Sequence, residues 1–324
     1  MGKSFVLLAA LIAGVLAGAP AHAIANGEAV PDGRYPFAVK IASLGIPTAD
    51  GGTRDSSCTG GLVSPSWVIT AAHCFRDVND NRVARTVAEQ TVATVGRTDL
   101  TGEGGFAADV VEVRQHGEAD VALVRLDKPV TGIAPLRLGG KAPAEGQKAR
   151  LVGYGFIRPD DERTPDRLRT GRFEVTSVAA TEMGLSGIAP RRNTSPCERD
   201  SGGPYFTEGA DGTATLIGVV SRGPACPHTG PDIATRADVV AKWVRSVIGD
   251  DVAPPPSSAA PGSAGSRTSD ALDSAAEAAG PRTSAAGLIA PIALAGIPAV
   301  AVGFVALLVT GSRRRRRAGH RRRR

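Results

Sequence analysis

The stretch Trp67-Val68-Ile69-Thr70-Ala71-Ala72-His73-Cys74 runs from a short apolar segment straight into a histidine beside a cysteine. An apolar run this short suits a buried strand better than a helix. The same texture extends in both directions. Residues 37–41, 91–95, 121–126, 149–152 and 215–220 are Val/Ile/Leu-rich runs set apart by Gly, Pro and Asp. Runs of about four to eight residues with that punctuation predict an all-β fold over residues 24–250. Residues 236–248 break the pattern. There Val239, Val240, Trp243, Val244, Val247 and Ile248 recur at helical spacing, which predicts an amphipathic helix closing the domain. A domain of about 225 residues can bury a sizeable core without outside help.

Both ends of the chain differ from this middle. Lys3, an apolar run over residues 5–16 and the small-residue ending Ala21-His22-Ala23 make residues 1–23 a signal peptide. Export puts the chain in an oxidising space, where Cys58, Cys74, Cys197 and Cys226 are expected to form two disulfides rather than a metal site. Four cysteines permit three pairings, and the count does not choose among them. Residues 251–286 are mostly Pro, Ser, Ala and Gly, too poor in large apolar groups to fold, and read as a disordered linker. Residues 288–309 carry no charge across 22 positions. As a helix they would span roughly 33 Å, against about 30 Å of hydrocarbon, so residues 287–310 are expected to cross a membrane once. Pro291 and Pro298 are tolerable in such a span. The Arg-rich tail, residues 311–324, follows at once and is expected to stay in the cytoplasm, leaving residues 24–250 outside the cell.

That tail also explains the formal charge. The chain carries a net +6, but nine arginines lie between Arg313 and Arg324, so the rest is slightly acidic at −3. A basic nucleic-acid-binding surface is therefore not expected in the folded part. The only lysines are Lys3, Lys40, Lys128, Lys141, Lys148 and Lys242, and this preference for Arg, with abundant Ala and Gly, points to a GC-rich genome.

Three short segments bear the chemistry: Thr70-Ala71-Ala72-His73-Cys74 with Cys58-Thr59-Gly60-Gly61 upstream, Asp120-Val121-Ala122-Leu123, and Asp200-Ser201-Gly202-Gly203-Pro204. Singly, each has an ordinary structural explanation: a histidine after a strand, an aspartate in a turn, a serine in a glycine loop. Together, in the order His, Asp, Ser, they resemble the chymotrypsin/trypsin family of serine proteases, in a secreted bacterial form expected to be actinobacterial. Tyr35-Pro36-Phe37-Ala38-Val39, Val152-Gly153-Tyr154-Gly155, Val220-Ser221-Arg222-Gly223 and Lys242-Trp243-Val244 agree with it, and the likeness runs from Ile24 to about Ile248.

The resemblance implies two six-stranded antiparallel β-barrels and a C-terminal helix, with the active site between the barrels and the seam near residues 127–140. It implies Ser201 as nucleophile, His73 as base and Asp120 as the anion that orients the imidazole. A serine hydroxyl needs such a base, and an imidazole titrating near pH 6.5 can take its proton and return it to the leaving amine. By position, the oxyanion donors are the backbone N–H groups of Arg199 and Ser201. The family pattern pairs Cys58 with Cys74 and Cys197 with Cys226. It also makes Ile24 a new N-terminus after signal-peptide removal, with Asp200 as the partner of its ammonium. No cofactor and no metal are implied, and Asp77, Asn79, Asp80 and Asn81 lack calcium-ligand spacing. Expected partners are protein or peptide substrates, protein protease inhibitors, and the lipid bilayer through the C-terminal helix.

Two positions depart from the family pattern. Arg199 stands where the family has Gly, which takes the required loop conformation without Cβ strain. Arg199 adopts that backbone at modest cost, projects into the cleft and obstructs bulky ligands on the leaving-group side, or spoils the oxyanion hole. The last outcome would leave a catalytically weak homologue that binds extracellular proteins. Ser195 stands where trypsins carry the pocket-base Asp, so the usual signal for basic substrates is absent. With Ser221 and Gly223 it belongs to the expected substrate pocket. Asp232, in Pro231-Asp232-Ile233-Ala234, stands at a pocket-wall position, where its carboxylate would bind Arg or Lys if it faced inward. Otherwise it would point to solvent in a turn.

Overall fold

The structure, a computed structural model, describes residues 24–251. The signal peptide, the linker expected over residues 251–286 apart from Asp251, the membrane span and the tail lie outside the described residues. After a short β1 (Glu28–Ala29), six strands close the first barrel: β2 (Ala38–Pro47), β3 (Thr53–Ser64), β4 (Trp67–Thr70), β5 (Gln90–Val95), β6 (Phe106–Gln115) and β7 (Ala122–Leu126). Their order round the barrel is β2-β3-β4-β7-β6-β5. Alternate residues face inward, as the period of a strand requires: Val39, Ile41 and Ser43 on β2 are buried, as are Thr91, Ala93 and Val95 on β5.

A connection carrying β8 (Arg137–Leu138) leads to the second barrel. Its strands are β9 (Lys148–Gly153), β10 (Arg169–Val178), β11 (Glu182–Ala189), β12 (Pro204–Glu208), β13 (Ala214–Arg222) and β14 (Asp232–Arg236). They run in the order β10-β11-β14-β13-β12-β9, and β9 pairs back with β10 to complete the ring. Closure leaves neither barrel with a long open edge. Ile24 lies in the second barrel's core with Leu151, Phe173 and Tyr205.

Helix α1 (Ala237–Ile248) begins one residue later than its apolar spacing predicts. Arg236 is still extended and pairs with Gly218, so β14 holds it out of the helix. Val240, Val244 and Ile248 are buried, but Val239, counted in the apolar stripe, faces solvent. Asp251 accepts hydrogen bonds from the Ser64 hydroxyl and the Ser66 N–H, both at 2.9 Å, and ties the end of the described chain to the first barrel.

Candidate active site

The apolar run of β4 delivers His73 to a single 3-10 turn, Ala72–Cys74, which a disulfide between Cys58 and Cys74 ties back to β3. Asp120 sits in the loop before β7. Its Oδ1 accepts the His73 backbone N–H at 2.9 Å, and its Oδ2 lies 2.7 Å from His73 Nδ1. The Ser221 hydroxyl donates to the same Oδ2 at 2.6 Å. Burial works to raise the Asp120 carboxyl, but the hydrogen bond and charge of His73, with the Ser221 hydroxyl, outweigh it and hold the group down at about 2. An ionised carboxylate there places the imidazole proton on Nδ1 and leaves Nε2 free to accept another. Ser221 therefore presents only backbone to a substrate, because its hydroxyl is committed to Asp120.

Ser201 and His73 line one cleft of about 420 Å³, with no hydrogen bond between them in this structure. Catalytic hydrogen bonds of this type commonly tighten only when substrate arrives. The loop bearing Ser201 is shaped by Thr59 of β3, whose N–H donates to the Ser201 carbonyl at 2.9 Å. The Thr59 hydroxyl donates to the Arg199 carbonyl at 3.0 Å and accepts the Tyr154 N–H at 3.0 Å. With both carbonyls held on the β3 side, the N–H groups of Arg199 and Ser201 donate to no acceptor among the described residues. Those of Asp200, Gly202 and Gly203 are all engaged. Gly202 has φ +83°, and a Cβ there would collide with the Thr70 hydroxyl and the Thr59 carbonyl.

Arg199 takes φ +75°, the left-handed conformation that favours glycine. Its guanidinium bonds the Ser56 hydroxyl, lies 5.4 Å from the centre of the Phe156 ring, and forms one wall of the cleft with Arg54 and Ser57.

A second disulfide, Cys197–Cys226, flanks the expected substrate pocket, so the pairing that composition left open is 58–74 and 197–226. Asp232 does not point to solvent. It is 2% exposed, and a Cβ on Gly223 would collide with its Oδ1, so the carboxylate lies directly beneath the Gly223 backbone. Ser195 is fully buried, and its hydroxyl accepts the backbone N–H of His228 at 3.3 Å. Asp200 is also fully buried, accepting the Gly155 N–H at 2.7 Å and the Cys197 N–H at 2.9 Å. Burial pushes its carboxyl up to about 7. Ala25 pairs with Ser195, which carries the fully buried Ile24 into the same region.

Sequence reasoning missed three side chains here. Thr59 lies beside Cys58, and its local sequence carries no sign of a role. Ser221 was placed in the substrate pocket, not on Asp120. His228, in a Pro- and Gly-rich loop, gave no local signal.

Two barrels with a serine loop, an imidazole and a half-buried carboxylate at their seam are the architecture of a serine endopeptidase. The sequence matches the family described as Trypsin over residues 24–244, and the chain belongs to that family. Among its relatives is the snake venom serine protease Haly-2 of Gloydius brevicauda, 30% identical over 206 residues, 59% of this chain and 77% of the venom protein. The thrombin-like enzyme contortrixobin of Agkistrodon contortrix contortrix is 26% identical over 211 residues, 60% of this chain and 87% of that protein. Serine protease 56 of Mus musculus is 27% identical over 250 residues, which cover 68% of this chain but 38% of the mouse protein.

Proposed function

We propose that this endopeptidase cuts peptide bonds through an acyl-enzyme on Ser201 and is displayed on the outer face of the cell membrane. The observation that carries the mechanism is the Asp120 carboxylate, which grips His73 through both its backbone N–H and Nδ1 on the same cleft as Ser201. His73 Nε2 takes the Ser201 proton as the oxygen attacks the carbonyl. The resulting imidazolium, held by Asp120, then gives that proton to the leaving amine. Water, deprotonated by the same nitrogen, attacks the ester, and the imidazolium returns that proton to the Ser201 oxygen as the ester bond breaks. The developing oxyanion is met by the N–H groups of Arg199 and Ser201, each donor contributing about 2.7–4 kcal/mol. The positive φ of Arg199 and the lack of an acceptor for both donors among the described residues favour this reading over a weak protein-binding homologue. A fluorophosphonate, which phosphonylates an activated serine, labels the wild-type protein at Ser201. Absence of labelling between pH 6 and 9 would falsify the assignment.

With its guanidinium on Ser56 and over Phe156 at one wall of the cleft, the Arg199 side chain crowds the leaving-group side in this reading. Arg199→Gly is therefore expected to change hydrolysis of small peptide esters by only several-fold while increasing sensitivity to protein protease inhibitors. A rise of about a hundredfold or more in small-ester turnover would mean that the wild-type hole is defective.

Membrane display rests on the charge-free residues 288–309 and the arginines after them, and a GC-rich actinobacterial source agrees with the preference for Arg over Lys. Truncation before Leu288 is expected to send active protease into the medium. A truncated protein that stays in the membrane fraction refutes the anchor.

A further inference from the structure

The segments that carry His73 and Asp120 are joined by a side chain that takes no part in the proton transfer. Gln115, the last residue of β6, pairs with Ala122 of β7, and Asp120 lies in the loop between them. Its Nε2 donates to three backbone carbonyls, those of Ala72 and Phe75 at 3.3 Å each and that of Val83 at 2.7 Å. Three acceptors around one end of a carboxamide fix that end as the nitrogen. Ala72 and Phe75 stand on either side of His73 and Cys74, so the amide closes over the turn that presents the imidazole.

That turn is weak by itself. Its internal bonds are Cys74 N–H to the Ala71 carbonyl at 3.3 Å and Phe75 N–H to the Ala72 carbonyl at 3.1 Å. A lone 3-10 turn has poor hydrogen-bond geometry and gains nothing from helical cooperativity. The disulfide holds Cys74 to β3, and Asp120 holds the His73 N–H. Among the described residues, Gln115 is the one side chain that donates to carbonyls of the turn and its flank. The path from Gln115 to Asp120 is short and well tied. His116 N–H donates to the Val121 carbonyl at 2.9 Å, and His116 Nδ1 accepts the N–H groups of Glu118 and Ala119 at 3.3 and 3.0 Å. Gln115 therefore fixes the base segment through its side chain and the acid segment through its backbone.

We propose that Gln115 is a positioning residue, whose carboxamide locks the turn bearing His73 to the loop bearing Asp120 and so sets the geometry of that pair. The proposal rests on the protease reading, since the pair matters there as the proton-transfer partner of Ser201. Gln115 acts through His73 and Asp120 and touches neither substrate nor the reacting atoms. What it supplies is N–H donors at a fixed reach, so a side chain of the same size without them does not replace it.

Gln115→Met keeps the reach of the side chain without its donors, and Gln115→Glu keeps its shape but sets an acceptor against three carbonyls. Gln115 is half-buried, so both variants are expected to fold. A misplacement of about 1 Å can cost about a hundredfold, so kcat on a peptide amide should fall by about tenfold to a hundredfold in each. KM should stay within about twofold, because acylation limits the rate on an amide and no substrate contact is lost. In an Asp120→Asn background, where the pair is already misaligned, the loss should nearly vanish, whereas beside Arg199→Gly it should persist in full. A residue that merely stiffened the barrel would lower activity alike in both backgrounds. Hydrogen exchange over residues 71–75, read by mass spectrometry on the full chain, needs no catalysis and should quicken in both variants. Wild-type kcat in either variant, or equal losses in the two backgrounds, overturns the proposal. That outcome with normal fluorophosphonate labelling of the wild type leaves the protease reading standing. A wild type that neither turns over nor labels removes the protease reading, and exchange then decides the tie alone. Faster exchange in the variants supports it, and unchanged exchange overturns it.

Discussion

Alanine at Ser201 or at His73 is expected to lower kcat by about 10⁶-fold, and the double variant to be no slower than either single one. The reason is that, in the proposed mechanism, the two side chains form one device. A hydroxyl without its base is a poor nucleophile, and a base without the hydroxyl has nothing to activate. What remains in each variant is the catalysis supplied by binding and by the Arg199 and Ser201 N–H donors, which are backbone groups and survive both substitutions. Stability should change little. His73 is partly exposed, and Ser201 makes its bond to Thr59 through its backbone carbonyl. Asp120→Asn is expected to fall between, at about 10⁴-fold. Its Oδ2 accepts from both His73 and Ser221, and an amide nitrogen in that place would meet two donors. The imidazole would then turn to the wrong tautomer. Circular dichroism melts and single-turnover ester hydrolysis check all four proteins. Losses that multiply in the double variant, or a Ser201→Ala enzyme within tenfold of wild type, would show that the two residues do not act as a unit.

The parts of this molecule that local physics dictates were readable in its sequence. Strand β4 and the run entering His73 are apolar residues with one possible fate, and α1 was placed to within a residue. Strands β10 and β11 carry Arg, Thr, Glu, Ser and Gly among their apolar residues, and nothing local marks them as barrel members. Their partners, β9 and β14, supply the ladder that the composition hides. The site divides in the same way. His73, Asp120 and Ser201 each sit in a recognisable local segment. The roles of Thr59 and Ser221 arise from contacts between residues far apart in the chain, Thr59 N–H on the Ser201 carbonyl and the Ser221 hydroxyl on Asp120. Such pairings are products of barrel closure, and no window of sequence contains them. Arg199 is the instructive middle case. Its identity argued against a glycine-type loop, yet the Thr59 contacts to the carbonyls of residues 199 and 201 fix that loop conformation whatever the side chain. The strain of a non-glycine residue at φ +75° is about 1–2 kcal/mol, well within what those bonds can offset.

A protein that begins at Ile24 is expected to be active and stable, and one that begins a single residue earlier, at Ala23, to be nearly inactive. Three observations meet at this bond. Ile24 is fully buried and has φ +51°, a conformation costly for a β-branched residue. That torsion is defined by the carbonyl of residue 23, so cleavage removes the strain along with the bond. Asp200 is fully buried with only backbone donors on its carboxylate, and burial pushes it up to about 7, above its ordinary value of 3.8. A carboxyl raised in this way favours the fold in its protonated form. The uncut chain should therefore lose stability as pH rises from about 4 to about 7, by an amount on the order of 4 kcal/mol. An ammonium at Ile24 reverses this by pairing with the carboxylate. The same pairing raises the amine above its ordinary range near 8, so its contribution is complete below that range and is lost as pH climbs through the shifted value. The difference in melting temperature between the two proteins should thus be small near pH 4, largest around pH 7–8, and smaller again at strongly alkaline pH. Activity should follow, because Asp200 lies between the two oxyanion donors and its position sets theirs. Asp200→Asn should resemble the Ala23 form at neutral pH in activity without its pH-dependent instability. Melts of the two forms between pH 4 and 10, with ester hydrolysis alongside, decide the matter. Equal activity, or a stability difference independent of pH, would show that the Ile24 ammonium does not reach Asp200.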